Sequence, residues 1–410
     1  MKKRIIKNLI LLILVLIFFS FNTFAKNELE TERETEAWEN SVYARFATPS
    51  EIGCKYITIN FMGDIFPAKK VKDAYDKKGV DGIIGEDYLD LLKKSDFNVA
   101  NLECPVSNLE VPNEEANKTY TFVLPTKYGN IFNDIKIGLF SMANNHMLDF
   151  GNEVANDTMK ILDRLGIKHI GYGKNIDEAS KPYIKEINGQ KIAFIAASSV
   201  LPEEKWKATK NSEGICNGYD VASICTLIKN TKKIADRVIV YMHWGKELEN
   251  YSNTIQKTNA HRFVDSGADL VVGSHPHVLQ EIEYYKETPI VYSLGNFIYG
   301  GTVKETMMLE VTFLYTDTDP GYLSLRVIPG ISNYEKVNTC WRKEEIVLRN
   351  QILQLKSPTC KIDDEGKIYS FEQVEFMEND ARRKASESEA ARLREEEEKK
   401  KEQLKTKEKK

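Results

Sequence analysis

Apolar and polar positions along this chain fall into short runs that switch between a period of two and a period near 3.6. Tyr56 to Met62 predicts a strand that ends at Gly63-Asp64, and a helical spacing follows over Gly85 to Lys94. Phe97 to Leu102 predicts a second strand, ending at Glu103, and Lys136 to Met142 a third, ending at Ala143-Asn144-Asn145-His146. Asn152 to Leu165 is spaced as an amphipathic helix, which Gly166 stops. The second half repeats the order. Tyr183 to Ile187 and Lys191 to Ala197 form a hairpin across Asn188-Gly189, Val221 to Ala235 reads as a helix, and Arg237 to Met242 as a strand ending at His243. A helix over Ile255 to Ser266 leads into the buried run Leu270-Val271-Val272, with His275 and His277 just past its tip. Pro289 to Ser293, Met307 to Leu314 and Tyr322 to Ile328 complete the strands. Strands alternating with helices imply a layered α/β body.

Strand tips are where open α/β sheets keep their chemistry. The tips here present Asp64, Glu103, Asn145 with His146, His243, and His275 with His277, drawing on four of only six histidines. Oxygen and imidazole donors without thiolates suit Zn, Mn or Fe. Such a set can hold two divalent ions about 4 Å apart if a carboxylate bridges them, and Glu103 is the candidate bridge. Taken singly, each residue has another reading. Asp64 also fits a cap, Glu103 a salt bridge to a lysine, Asn144 and Asn145 left-handed turn positions, and His243 a core histidine beside Trp244. His169 and His261 lack a strand tip and read as structural. Lys246 and Arg262 read either as holders of an anionic substrate or as solvated surface charges.

The chain's ends differ from its middle. Lys2, Lys3, Arg4 and Lys7 precede an apolar run from Leu9 to Phe19 and then Thr23-Phe24-Ala25, so residues 1–25 have the form of an export signal, cleaved or kept as an anchor. Residues 26–53 read as a polar stalk, 54–330 as the main domain, 331–380 as an extension, and 381–410 as a charged helical or disordered tail. Cys54, Cys104, Cys216, Cys225, Cys340 and Cys360 permit disulfides in an exported chain, and Cys216 with Cys225 and Cys340 with Cys360 are near enough to close short loops. A formal net charge of -4 gives no electrostatic footprint for nucleic acid.

The tip residues also carry a resemblance. Gly63-Asp64, Asn101-Leu102-Glu103, Ala143-Asn144-Asn145-His146 with Asp149 and Gly151, His243-Trp244-Gly245 with Glu247, Gly273-Ser274-His275-Pro276-His277 and Ser293-Leu294-Gly295-Asn296-Phe297 resemble the CapA/PgsA poly-γ-glutamate capsule biosynthesis family. That family is similar to the calcineurin-like metallophosphoesterases. The resemblance implies a two-sheet αββα sandwich of the metallo-dependent phosphatase type with two divalent ions. It places metal ligands at Asp64, Glu103, Asn145, His243, His275 and His277, with His277 on the Asp64 side and His275 opposite. His146 falls on the catalytic position. Two departures stand out: Phe66 replaces an expected histidine, and a glutamate, Glu103, replaces the bridging aspartate. The function implied is hydrolysis or transfer on an exported anionic polymer such as poly-γ-glutamate, alongside membrane synthase or export subunits. A non-catalytic accessory role is the alternative.

Overall fold

The computed structural model describes residues 55–109, 116–302, 304–315, 321–340, 342–375 and 377–379, with Arg382, Ser388 and Arg392 beyond them. The expected export segment, the stalk, Cys54 and nearly all of the charged tail lie outside the described residues. No helix among the described residues is long and apolar enough to cross a membrane.

Two sheets make the body. In the first, β1 (Lys55–Ile65), β2 (Phe97–Leu102), β3 (Leu139–Ser141) and β4 (Lys168–Ile170) run parallel in that order. In the second, β5 (Tyr183–Ile187) is the antiparallel edge of the parallel set β6 (Gln190–Ser198), β7 (Arg237–His243), β8 (Leu270–Ser274) and β10 (Thr288–Val291), with β9 (Ile282–Tyr285) antiparallel at the far edge. The long strands β11 (Lys304–Tyr315) and β12 (Tyr322–Ser332) return to the first sheet, where β11 pairs antiparallel with β1. Strands β13 (Val337–Thr339), β14 (Cys360–Ile362) and β15 (Lys367–Ser370) complete it as a nine-stranded sheet against the six of the second.

Parallel strands buried on both faces read as near-continuous apolar runs. In β2 all six residues are buried, and in β1 Ile57, Ile59 and Phe61 are fully so. Ile59, Phe61, Phe194, Tyr241 and Val272 from the two sheets belong to one core. A second core packs Ile195, Val240 and Val271 under α4 (Val221–Thr231) and α5 (Thr254–Asp265). Helices α1 (Lys69–Lys78), α2 (Glu86–Lys94) and α3 (Gly151–Arg164) cover the first sheet, which gives the two-sheet α/β sandwich expected. The Tyr241 hydroxyl donates to the Met62 carbonyl at 2.6 Å, tying the sheets together close to the strand tips.

Some elements depart from the sequence pattern. Helix α1 was not predicted: of its ten residues only Val71 and Ala74 are buried, too few to mark a period. The third strand shrinks to Leu139–Ser141 because Lys136 takes a positive φ of 60° and the chain turns there. The helix from Val221 stops at Thr231 rather than Ala235. The suggested disulfides do not form: Cys104, Cys216, Cys225, Cys340 and Cys360 are free and buried, each packed as a small apolar side chain. Helix α6 (Lys343–Lys356) and strands β14 and β15 give the C-terminal stretch regular structure, with β15 on β12.

Candidate metal centre

All the parallel strands end at the same edge of the sandwich. Asp64 is the last residue but one of β1, Glu103 follows β2, Asn145 and His146 follow β3, His243 ends β7, and His275 and His277 follow β8. Two close approaches bring these tips together. A Cβ on Gly63 would lie 1.8 Å from the Gly295 carbonyl oxygen, and one on Gly273 2.0 Å from that of Tyr292, so only glycine lets the neighbouring backbones in. His275 and His277 have φ of 98° and 57°, a left-handed region that costs a side-chain-bearing residue about 1–3 kcal/mol. Strain of this kind persists where surrounding contacts fix it. Here the His275 amide donates to Asp64 Oδ2 at 3.2 Å, and the Leu248 amide to the Pro276 carbonyl at 2.8 Å.

The side chains converge. His243 Nε2 lies 2.7 Å from Asn145 Oδ1 and 3.5 Å from Glu103 Oε1, while its Nδ1 is 3.0 Å from the Ser274 hydroxyl. His277 Nδ1 lies 2.7 Å from Asn296 Oδ1, 3.5 Å from Asp64 Oδ2 and 3.8 Å from Glu103 Oε2. Asn101 donates to Asp64 Oδ1 at 2.8 Å, and Asn144 to Asn101 Oδ1 at 3.1 Å. Ligand atoms of Asp64, Glu103 and His243 lie within 4.8 Å of one another, as do those of Glu103, His275 and His277. Glu103 is common to both groups.

Electrostatics in this pocket favour a cation. Both carboxylate oxygens of Glu103 and Nδ1 of His275 are buried without a hydrogen-bond partner. A buried polar atom left bare costs about 1–3 kcal/mol, more when charged. Burial, reinforced by the charge of Asp64, pushes the Glu103 carboxyl well above its usual range. Burial and the neighbouring His277 hold His275 down to about 3, and burial with His275 holds His243 well below the ordinary imidazole value. Neutral imidazoles are the form that binds metals. Burial alone would lower His277 too, but Glu103, Asp64 and Asn296 together outweigh it and push it up to about 10. The two bare oxygens of Glu103 and the bare nitrogen of His275 thus fit a divalent ion, which would satisfy them.

His146 stands beside this group. Its Nδ1 is 2.7 Å from Asp149 Oδ2, an oxygen that also accepts the Phe122 amide at 2.7 Å. Lys118 donates to Asp149 Oδ1 at 2.6 Å and to the Asn145 carbonyl. Phe122 stacks on the imidazole with ring centres 4.1 Å apart, and Phe66 on Phe122 at 4.1 Å. Phe66 therefore builds an aromatic wall where a ligand was expected. Tyr299 meets both Phe66 and His277.

Several single-residue alternatives fail on this geometry. Asp64 caps no helix, since α1 starts from Ala68. Glu103 has no lysine partner among the described residues, and Asn144 and Asn145 are not among the positive-φ residues. His169 and His261 pair with Asp163 and Glu283, away from the centre. Lys246 pairs at the surface with Glu249, and Arg262 is exposed on α5. Among the described residues Lys118 is the lysine that reaches the centre, and sequence reading did not single it out. Lys118 and Phe122 lie on a loop with no period to mark it, some thirty residues before Asp149. Asn101 and Asn296 fell inside recognised motifs without a role, Asn144 was read only as a turn position, and Ser274 only as a cap.

A profile described as bacterial capsule synthesis protein PGA_cap matches residues 58–300, more than half of the chain and all of these side chains. The chain belongs to the PGA_cap family. It is 32% identical over 245 residues to the PGA biosynthesis protein CapA of Bacillus subtilis, covering 59% of this chain and 63% of that relative. Against the capsule biosynthesis protein CapA of Bacillus anthracis it is 30% identical over 285 residues, 67% of each chain. The chain thus spans a little under two thirds of the first of these PGA_cap relatives. Among solved structures, a phosphatase from Mycoplasma pneumoniae superposes on 68% of this chain and 95% of its own at a TM-score of 0.42, with 12% identity.

Proposed function

We propose that this chain is an exported component of poly-γ-glutamate capsule formation, with a divalent-metal centre for hydrolysis or transfer on that anionic polymer. Membership of the PGA_cap family and the names of its CapA relatives support the polymer. The observation that carries the centre is the Glu103 carboxylate, buried with both oxygens bare among Asp64, His243, His275 and His277. In this reading Asp64, Glu103, Asn145, His243, His275 and His277 hold Mn, Fe or Zn, two ions in the full arrangement. Bound there, the metal would polarise the scissile group and supply an activated water. His146 Nδ1 meets Asp149 Oδ2 at 2.7 Å and the Lys118 ammonium at 3.1 Å, which leaves Nε2 to carry a proton to or from the leaving group. Phe122 fixes the plane of that ring. The pocket's buried walls keep bulk water from the donors.

The second reading is a non-catalytic accessory of a membrane synthesis or export complex, which Phe66 in place of a nitrogen ligand favours. One experiment separates them. Purified full-length protein is assayed for bound metal, then incubated with poly-γ-glutamate whose chain length is followed by mass spectrometry. Metal content lost in Glu103→Ala, with shortening lost in His146→Ala while metal stays, is the expected result. Metal without shortening leaves the accessory reading, and no retained or added metal at all defeats the centre.

A further inference from the structure

We infer that Asn296 is itself a metal ligand, completing the Asp64 side of the centre where Phe66 contributes no donor. The inference rests on the metal-centre reading above and deepens it.

Three oxygens crowd a single ring nitrogen. Nδ1 of His277 has Asn296 Oδ1 at 2.7 Å, Asp64 Oδ2 at 3.5 Å and Glu103 Oε2 at 3.8 Å. An imidazole nitrogen carries at most one hydrogen, so Nδ1 serves the nearest oxygen, that of Asn296, while Asp64 Oδ2 takes the His275 amide at 3.2 Å and Glu103 Oε2 has no hydrogen-bond partner. Atoms bound at ~2.1 Å to a common ion stand ~3.0 Å apart at octahedral angles and ~3.4 Å apart at tetrahedral ones. The three separations straddle those values. Nδ1 of His277 thus lies at about ligand-to-ligand spacing from Asp64 Oδ2, and the Asn296 amide oxygen stands among the same donors. A neutral amide oxygen is a hard donor, suited to the same ions as the carboxylates.

The backbone delivers Asn296 to this place by pairing, not by chance packing. Asp64 and Asn296 form a parallel bridge in which the Asp64 amide donates to the Gly295 carbonyl at 3.1 Å and the Phe297 amide to the Asp64 carbonyl at 2.9 Å. Gly63 has no Cβ to block the approach, and Gly295 takes a φ of +69° to turn the chain. The ladder continues: the Phe66 amide donates to the Ile298 carbonyl at 2.8 Å. Position 66 and Asn296 thus sit on two paired segments at one wall of the pocket. From that wall Phe66 turns to Phe122 and Tyr299, with ring centres 4.1 and 5.6 Å away. Asn296, 6% exposed, is the polar side chain that remains there.

The competing role is that of a positioning residue, which only accepts from His277 and never meets the ion. Removal of such a partner weakens metal binding about 10–100-fold but keeps the number of sites. Removal of a ligand from a site already short of one empties it.

The full-length protein, stripped with EDTA, is titrated with Mn²⁺ by calorimetry, and bound metal is counted by plasma mass spectrometry after gel filtration. The inference expects two ions in wild type and one in Asn296→Ala, with the surviving site within ~10-fold of its original affinity. Asn296→Asp, which keeps an oxygen in place, should hold both ions, showing that the position tolerates change and the fold survives. If Asn296→Ala keeps every ion that wild type binds, the inference is overturned. Failure of wild type to bind Mn²⁺, Fe²⁺ or Zn²⁺ overturns the metal centre beneath it, a different result that Asn296→Ala does not enter.

Discussion

Replacing Glu103 by glutamine should make the metal-free protein more stable and abolish its stabilisation by metal. Glutamine keeps the shape of the side chain but removes the charge. In the folded chain burial and Asp64 hold the Glu103 carboxyl well above its usual range, whereas the unfolded chain releases that proton near pH 4.3. The sign follows directly. As pH rises past about 4.3 the unfolded state loses a proton that the folded state keeps, so wild type loses about 1.4 kcal/mol per pH unit until its own folded pKa is reached. The Glu103→Gln variant has no such slope. Other groups restrict the useful window. His277, pushed up to about 10, adds stability that is complete below about pH 6.5 and is lost only above it. The neutral imidazoles His243 and His275 cost stability at low pH in both proteins and cancel in the difference. Urea unfolding in EDTA at several pH values from 4.5 to 6.5 reads the effect. The variant's advantage should grow by about 1.4 kcal/mol per pH unit while Glu103 stays protonated in the folded state. With Mn²⁺ at a hundred times its dissociation constant, wild type should gain about 2.7 kcal/mol and the variant far less. A pH-independent difference between the two proteins in EDTA would show that the buried carboxyl is not the group described here.

Two further predictions probe how the sheets are joined. Tyr241→Phe removes the hydroxyl that caps the Met62 carbonyl, leaving a buried oxygen unpaired; a loss of about 1–3 kcal/mol in urea melts is expected, and an unchanged midpoint would mean water takes its place. Gly63→Ala places a methyl 1.8 Å from the Gly295 oxygen, so the Asp64 to Asn296 junction must open; calorimetry should then find metal binding lost in a protein whose circular dichroism still reports both sheets.

Much of this fold was visible in the sequence because buried parallel strands are written as unbroken apolar runs. Phe97 to Leu102 matches its strand residue for residue, and Asn188-Gly189 marks its hairpin. Six donors at successive tips could be named for the same reason, since a strand ends where its apolar run ends. What stayed hidden has no period. Helix α1 buries two small residues beneath eight largely polar ones, and strands β14 and β15 are three and four residues long. Lys118 and Phe122 act on His146 from an irregular loop, through contacts that only the folded chain creates. The cysteines misled because an even count says nothing about which pairs the core holds apart.

The remaining choice, catalyst or accessory, turns on groups that a binding site does not require. Holding an ion calls for donors, and in the proposed centre Asp64, Glu103, Asn145, His243, His275 and His277 would supply them without help from His146. Yet His146 is oriented as closely as they are. Asp149 takes its Nδ1, Lys118 and the Phe122 amide fix Asp149, and the Phe122 ring lies flat against the imidazole. A ring held at Nδ1 by Asp149 and Lys118 and on its face by Phe122, with Nε2 left over, suits a group that hands over a proton at a fixed place. Phe66 argues the other way if it is read as a lost ligand. Placed in the stack behind Phe122, with ring centres 4.1 Å apart, it instead braces the ring that braces His146, so its place in the fold does not by itself favour the accessory role.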